Sequence, residues 1–189
     1  FIDEFEKMGG EVVLIDDFLI GATDFKTILL KTKNVDFDSI YISSYELSLA
    51  ALFETMKELN INKKVFSTTL AYSPTIRKNV SENTEPFQVF FSGTEFYLGS
   101  EKAISFGKRF KAKYETEPSH VAAYSYDSMM MIALAKQIAD EKSISLEQAL
   151  LEVEFEGING LIKLDVDREV QNPVYLLAIN KEGKAVEVN

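Results

Sequence analysis

One stretch limits what this chain can fold into more than any other: Asp38-Ser39-Ile40-Tyr41-Ile42-Ser43-Ser44-Tyr45-Glu46. Ile40, Tyr41 and Ile42 are β-branched or aromatic and follow one another without a polar break, the make-up of a short buried strand. They run straight into Ser43-x-x-Glu46, the spacing of a capping box, so a helix is expected to start there. Strand followed directly by helix is the unit of a parallel sheet covered by helices. In such sheets ligands lie at the carboxyl ends of the strands, where a helix start offers unpaired N–H groups and partial positive charge to an anion. Two hydroxyls and a tyrosine stand at that point, which describes a binding crevice without an obvious catalyst.

The same rhythm extends on both sides. Ile2, Phe5 and Met8 share one face of a first helix that Gly9-Gly10 would end. Glu11 to Ile15 is a near-continuous apolar run, the pattern of a parallel strand covered on both faces. After a turn at Gly21 to Thr23, Asp24 to Lys33 reads as a helix with Phe25, Ile28 and Leu29 inward. The helix that follows Ile42 runs to about Asn60 on a stripe of Leu49, Leu52, Phe53, Met56 and Leu59. Lys64-Val65-Phe66 is a strand opening into a second hydroxyl cluster, Ser67-Thr68-Thr69. Ser73-Pro74 is a helix start, and Phe87 to Phe91 is an aromatic strand.

The rhythm then breaks. Ser100 to Glu115, Ser119 to Asp140 and a helix capped by Ser145-x-x-Gln148 follow one another with no strand between them. Gly157 to Asp165 and Pro173 to Asn180 read as two antiparallel strands, and Val186 to Val188 as a final edge after a Glu182-Gly183 turn. Three helices in a row after an alternating unit predict that the chain leaves the first sheet, with crossings near Ser92–Ser100 and Gly157–Gly160.

Composition closes several routes. With a net charge of -10 and a pI near 4.7, the chain would be repelled by nucleic-acid phosphates. It has no cysteine and one histidine, His120, which removes disulfides, thiolate chemistry and multi-histidine metal sites. The apolar runs fall short of a membrane span of about 20 residues. The chain opens on Phe1, inside an amphipathic pattern, which predicts a piece of a longer protein.

The remaining candidates for chemistry are weak. Asp16-Asp17 after a strand is the start of an acidic phosphoacceptor pocket, but the next strand ends in Ser43-Ser44 where a second aspartate is needed, so these read as loop carboxylates. Gly9-Gly10 precedes a strand, so it is no phosphate-binding turn, and no GxSxG is present. His120, beside Pro118 at a helix start, has no readable nucleophile partner and reads as a surface or capping residue. Met129-Met130-Met131 reads as core packing. Glu152, Glu154 and Glu156 read as alternation on an exposed edge rather than a metal cluster. Capping would account for Ser43 too, but hydroxyl clusters at two successive strand ends favour a ligand.

The order of motifs resembles a known family. Gly9-Gly10-Glu11-Val12-Val13, Thr23-Asp24-Phe25, Asp38-Ser39-Ile40-Tyr41 and the long helix to Leu59-Asn60-Ile61 look like the second lobe of type I periplasmic binding proteins, the branched-chain amino-acid binding proteins of ABC importers. Phe106 to Tyr114, Pro118 and Ala122-Ala123-Tyr124-Ser125-Tyr126-Asp127 are similar to their F-x-x-x-Y…P…A-x-x-Y-D-A stretch. Phe155-Glu156-Gly157-Ile158-Asn159-Gly160 with Leu164-Asp165 resembles their F-x-G-V-x-G…F-D element. The resemblance implies an α/β fold, a three-layer parallel sheet with helices on both faces, and a clamp of two lobes joined by three crossovers. Residues 1–95 and 164–189 would form the second lobe. Residues 96–163 would be the helical part of a first lobe largely missing here, with an apolar face open to dimerisation.

Function follows as an expectation: extracytoplasmic capture of a small polar molecule, an amino acid or a related compound, for an ABC permease in the membrane. No catalysis and no cofactor are implied, and the location would be periplasmic or extracellular, with a lipid anchor as one option. The resemblance places an aromatic ligand contact at Tyr45. It places an acidic partner for the ligand's ammonium at Thr69, which carries no charge. Ser43, Ser44, Thr68 and Thr69 would donate hydrogen bonds around Tyr45. A ligand-sensing or protein-contact domain of a receptor or cell-wall regulator would use the same fold, and so would an α/β enzyme whose active residues lie elsewhere.

Overall fold

The computed structural model describes residues 1–77 and 88–188. The chain divides into two units, Phe1–Phe91 with Leu177–Val186 and Ser92–Leu176 with Glu187–Asn189. In chain order the main elements are α1 (Ile2–Lys7), α2 (Lys26–Lys31), β1 (Ser39–Ile42), α3 (Glu46–Glu58), β2 (Lys64–Ser67), β3 (Val89–Gly93), α4 (Glu95–Leu98), α5 (Glu101–Tyr114), α6 (His120–Lys142), α7 (Leu146–Leu150), β4 (Glu154–Glu156), β5 (Leu161–Leu164), β6 (Val170–Gln171), β7 (Tyr175–Ile179) and β8 (Ala185–Glu187).

The first unit is built on a five-stranded sheet in the order β1-β2-β3-β7-β8. β1, β2 and β3 are parallel neighbours, with Ile40 opposite Val65 and Val65 opposite Val89. Burial grows from the edge inward. On β1 only Ile42 is buried, on β2 Val65 and Ser67 are, and on β3 Val89, Phe90 and Phe91 all are. An inner strand covered on both faces needs this continuous apolar run. α3 forms because Leu49, Leu52, Phe53 and Met56 recur at helical spacing, and all four are buried. α2 packs on α3 and contributes Phe25 and Leu29 to the same core.

Several expectations need correction in this unit. Glu11–Ile15 forms no ladder with any described strand, and Val13, Leu14 and Ile15 are exposed. A β-branched run becomes a strand only where a neighbour supplies hydrogen bonds and cover, and the described residues supply neither. The aromatic strand starts at Val89, and Phe87 lies outside the described residues. Ser73 does start a helical turn at residues 74–77, with its hydroxyl accepting from the Ile76 N–H at 3.3 Å.

The second unit carries α4 to α7 and a three-stranded antiparallel sheet β4-β5-β6. Gly157–Asp165 and Pro173–Asn180, read as two antiparallel strands, belong to different sheets: β5 pairs with β4 and β6, whereas β7 joins the five-stranded sheet. Alternating Glu154, Phe155 and Glu156 made the missing strand, β4, look like an edge alone. Ala103, Phe106, Ala123 and Ile158 form one core cluster, and Ala135, Ala149 and Val153 another. The Met129-Met130-Met131 run is not core as a whole. Met131 packs on the second cluster, while Met129 is 63% and Met130 38% exposed, because three consecutive positions cannot share one face of a helix. Ser145 and Gln148 form the expected reciprocal capping box.

Candidate functional site

Parallel pairing of β1 and β2 sets the candidate site. Ile42 lies opposite Ser67 at the last rung, so Ser43-Ser44-Tyr45 and Thr68-Thr69 leave adjacent strand ends about 4.8 Å apart. The rung is pinned by a side chain, because the buried Ser67 hydroxyl donates to the Ile42 carbonyl at 2.8 Å. All five residues singled out in the sequence therefore follow two neighbouring strand ends on the same end of the sheet.

Their environments differ. Tyr45 is 61% exposed. Ser43 is exposed, and Ser44, Thr68 and Thr69 are half-buried. The Thr68 Oγ1 is itself shielded from solvent and has no hydrogen-bond partner among the described residues, and the same is true of Ser48 Oγ in the first turn of α3. Thr68 precedes a short 3-10 turn, Thr69–Tyr72, without a side-chain cap bond.

The capping box expected from Ser43-x-x-Glu46 does not form. α3 begins at Glu46 with Tyr45 in the N-cap position and no side-chain cap. Extended backbone at Tyr45, φ -80 and ψ 161, sets the start two residues later than the serine. Ser43 and Ser44 are thereby released from capping, and the first N–H groups of a thirteen-residue helix lack a side-chain acceptor. Hydroxyls, helix N–H groups and an exposed phenol form a donor-rich surface suited to a carboxylate or a carbonyl.

Two residues near this end were not anticipated. The Tyr72 ring stacks on Phe91 at 5.0 Å and its hydroxyl accepts from the Ala185 N–H at 3.0 Å. The Arg77 guanidinium lies over the Tyr72 ring at 4.7 Å. The sequence signal was an aromatic and a cation five positions apart, too common a pair to read unaided.

Elsewhere, three of the acidic candidates have ordinary partners. Asp16 pairs with Lys31, Glu152 with Lys142, and Glu154 with Lys163. Among the described residues no group of three or more acidic or histidine side chains is placed to hold a metal ion. His120 is the first residue of α6, after an N-cap Ser119 that accepts from Ala122 N. Its ring meets Tyr124 edge-on at 6.3 Å, and burial pushes its imidazole pKa below the ordinary value. Among the described residues no helix is long and apolar enough to cross a membrane.

The family model described as periplasmic binding protein matches residues 1–184. No curated protein matches the sequence. Among solved structures, the chain is similar to LivJ, the substrate-binding protein of a branched-chain amino-acid transporter from Streptococcus pneumoniae, in complex with isoleucine. Identity is 26%, TM-score 0.77, and the match covers 97% of this chain and 53% of that one. The leucine-binding protein LivK from Thermotoga maritima gives 23% identity and a TM-score of 0.80, covering 100% and 54%. An ABC-transporter solute-binding protein from R. palustris, in complex with benzoate, gives 18% and 0.77, covering 98% and 52%. The chain spans about half the length of these solved relatives. The parallel α/β sheet, the order of its motifs and the family match lead to one conclusion: the chain belongs to the periplasmic binding protein family.

Proposed function

We propose that this chain is the ligand-gripping part of an extracytoplasmic solute-binding protein that delivers a small polar molecule to an ABC permease and does not transform it. The observation that carries this reading is the uncapped start of α3, with Ser43, Ser44 and the exposed Tyr45 beside it and Thr68 and Thr69 on the adjacent strand end. Tyr45 offers a flat apolar face to the body of a ligand, and the hydroxyls and free N–H groups take its oxygens. The ligands of two similar structures, isoleucine and benzoate, share a carboxylate on an apolar body, and such a molecule fits this donor set. Thr69 brings no charge for an ammonium group. Glu46, half-buried in the first turn of α3, is the carboxylate at hand if the ligand is an amino acid. In this reading the first unit, residues 1–91 with 177–186, belongs to the second lobe, and the helices of the second unit belong to the first lobe.

An NMR titration of the 189-residue chain with isoleucine, leucine and benzoate at millimolar concentration tests the site. Amide shifts are expected at residues 43–49 and 68–70, and are lost in Tyr45→Ala. Shifts with none of the three solutes would sink the proposal.

A second reading keeps the fold and makes the chain a protein-contact domain. It is favoured by Val121, Met129 and Ile132, which are 59%, 63% and 44% exposed on α6, an apolar surface of the kind partners cover. Sedimentation equilibrium checks it: a dimer that Met129→Lys and Ile132→Lys together dissociate supports contact through α6, and a monomer at every concentration removes dimerisation.

A further inference from the structure

Asp127 lies in the middle of α6 and is 4% exposed. Its carboxylate faces the loop that joins β4 to β5. Oδ1 accepts from the Ile158 N–H at 2.9 Å, and Oδ2 accepts from the Ile158 N–H at 3.0 Å, the Asn159 N–H at 3.0 Å and the Asn159 side-chain Nδ2 at 2.8 Å. The loop is closed on itself by Gly157 N–H donating to the Gly160 carbonyl at 2.8 Å. A Cβ on Gly157 would sit 2.7 Å from Asp127 Oδ2, so the close approach of loop to carboxylate requires that glycine.

The arrangement is directional. An ionised carboxylate only accepts, so it draws the Nδ2 of Asn159 toward itself and leaves that amide's oxygen pointing the other way. There the Thr94 hydroxyl donates to Asn159 Oδ1 at 2.8 Å. Asn159 is fully buried and Thr94 3% exposed. Thr94 occupies the N-cap of α4 yet makes no side-chain cap bond; its hydroxyl is committed to Asn159 instead. Thr94 is also the third residue after the chain passes from the first unit into the second, between Phe91 and Ser92.

We infer that Asp127, Asn159 and Thr94 form a buried clasp that binds the entering segment, residues 92–95, to the middle of α6, so that this crossover behaves as part of the second unit rather than as a free linker. Buried networks of this kind, fully satisfied, specify a single geometry, and losing one member exposes the others to unpaired burial. The clasp does not depend on the ligand site at β1 and β2.

Amide hydrogen exchange in the 189-residue chain tests it, read as protection factors at Ile158, Asn159 and Tyr97, whose N–H donates to the Thr94 carbonyl. Thr94→Val is expected to lower protection at Ile158 and Asn159 by about tenfold although Thr94 touches neither amide, the size of one buried hydrogen bond to a charged network. Asp127→Asn is expected to lower protection at Tyr97, and the double variant to be no worse than Asp127→Asn alone. Asn159→Asp removes the amide donor and sets a second carboxyl group against that of Asp127, so protection at Ile158 should fall. Unchanged protection at Ile158 and Asn159 in Thr94→Val, effects that multiply in the double variant, or unchanged protection at Ile158 in Asn159→Asp would each overturn the clasp. Should Asp127→Asn fail to fold, Thr94→Val and Asn159→Asp still decide.

Discussion

The Ser67 hydroxyl donates to the main-chain carbonyl of Ile42 at 2.8 Å, across the last rung that joins β2 to β1. The bond lies below the candidate site and fixes the spacing of the two strand ends that carry it. Ser67→Ala should destabilise the first unit by about 1 kcal/mol, the net worth of a buried hydrogen bond. Chemical denaturation followed by far-UV circular dichroism measures this; an unchanged midpoint would mean that another group takes over the Ile42 carbonyl.

Tyr45 separates binding from stability. Its side chain is 61% exposed and makes no cap for α3. Tyr45→Ala should shift stability by less than about 0.5 kcal/mol, as surface substitutions do, while abolishing the amide shifts produced by a bound solute. A large loss of stability would show the ring to be a packing residue.

Two glycines make a matched pair of opposite sign. Gly157→Ala drives a Cβ to within 2.7 Å of the Asp127 carboxylate, which its own hydrogen bonds hold in place. A cost of about 1–3 kcal/mol is expected, as for other overpacked cores. Gly107 sits inside α5, and a methyl group added there would meet nothing within 4 Å. Gly107→Ala should therefore stabilise the second unit by about 0.5–1 kcal/mol through helix propensity. Thermal melts of the two variants should move in opposite directions.

His120 predicts a pH response. Burial lowers its folded-state pKa below the unfolded 6.5, so between the two values the unfolded chain binds the extra proton. Stability is then fully present above the unfolded value and falls as the pH drops through the folded one. Urea midpoints taken from pH 7.5 to pH 5 should fall, and less steeply in His120→Gln. Identical slopes for the two proteins would remove His120 from the acid response.

The contrast between elements explains what could be read in advance. α3 and α2 were legible because Leu49, Leu52, Phe53 and Met56, and Phe25 with Leu29, recur at helical spacing, and a stripe of that kind has one way to be buried. β1, β2 and the Ser145 cap were legible for similar local reasons. Glu11–Ile15 and the Met129 run were misread because their outcome depends on partners: an apolar segment carries no record of whether a neighbouring strand or helix covers it. The separate sheets of β5 and β7 were not legible because alternation identifies a strand but not the strand it pairs with.

The sequence by itself determined the alternation of strand and helix, the placing of hydroxyls and Tyr45 after two successive strands, and an acidic composition free of cysteine. Those are properties of spacing and side-chain chemistry, written along the chain. Only the tertiary structure decided that Tyr45 rather than Ser43 takes the N-cap position of α3, that the two hydroxyl clusters follow neighbouring strand ends, and that Asp127 reaches Thr94 through Asn159. These depend on backbone angles and on contacts between residues up to 65 positions apart, and the free energy of such contacts is settled by packing in three dimensions rather than by any local pattern.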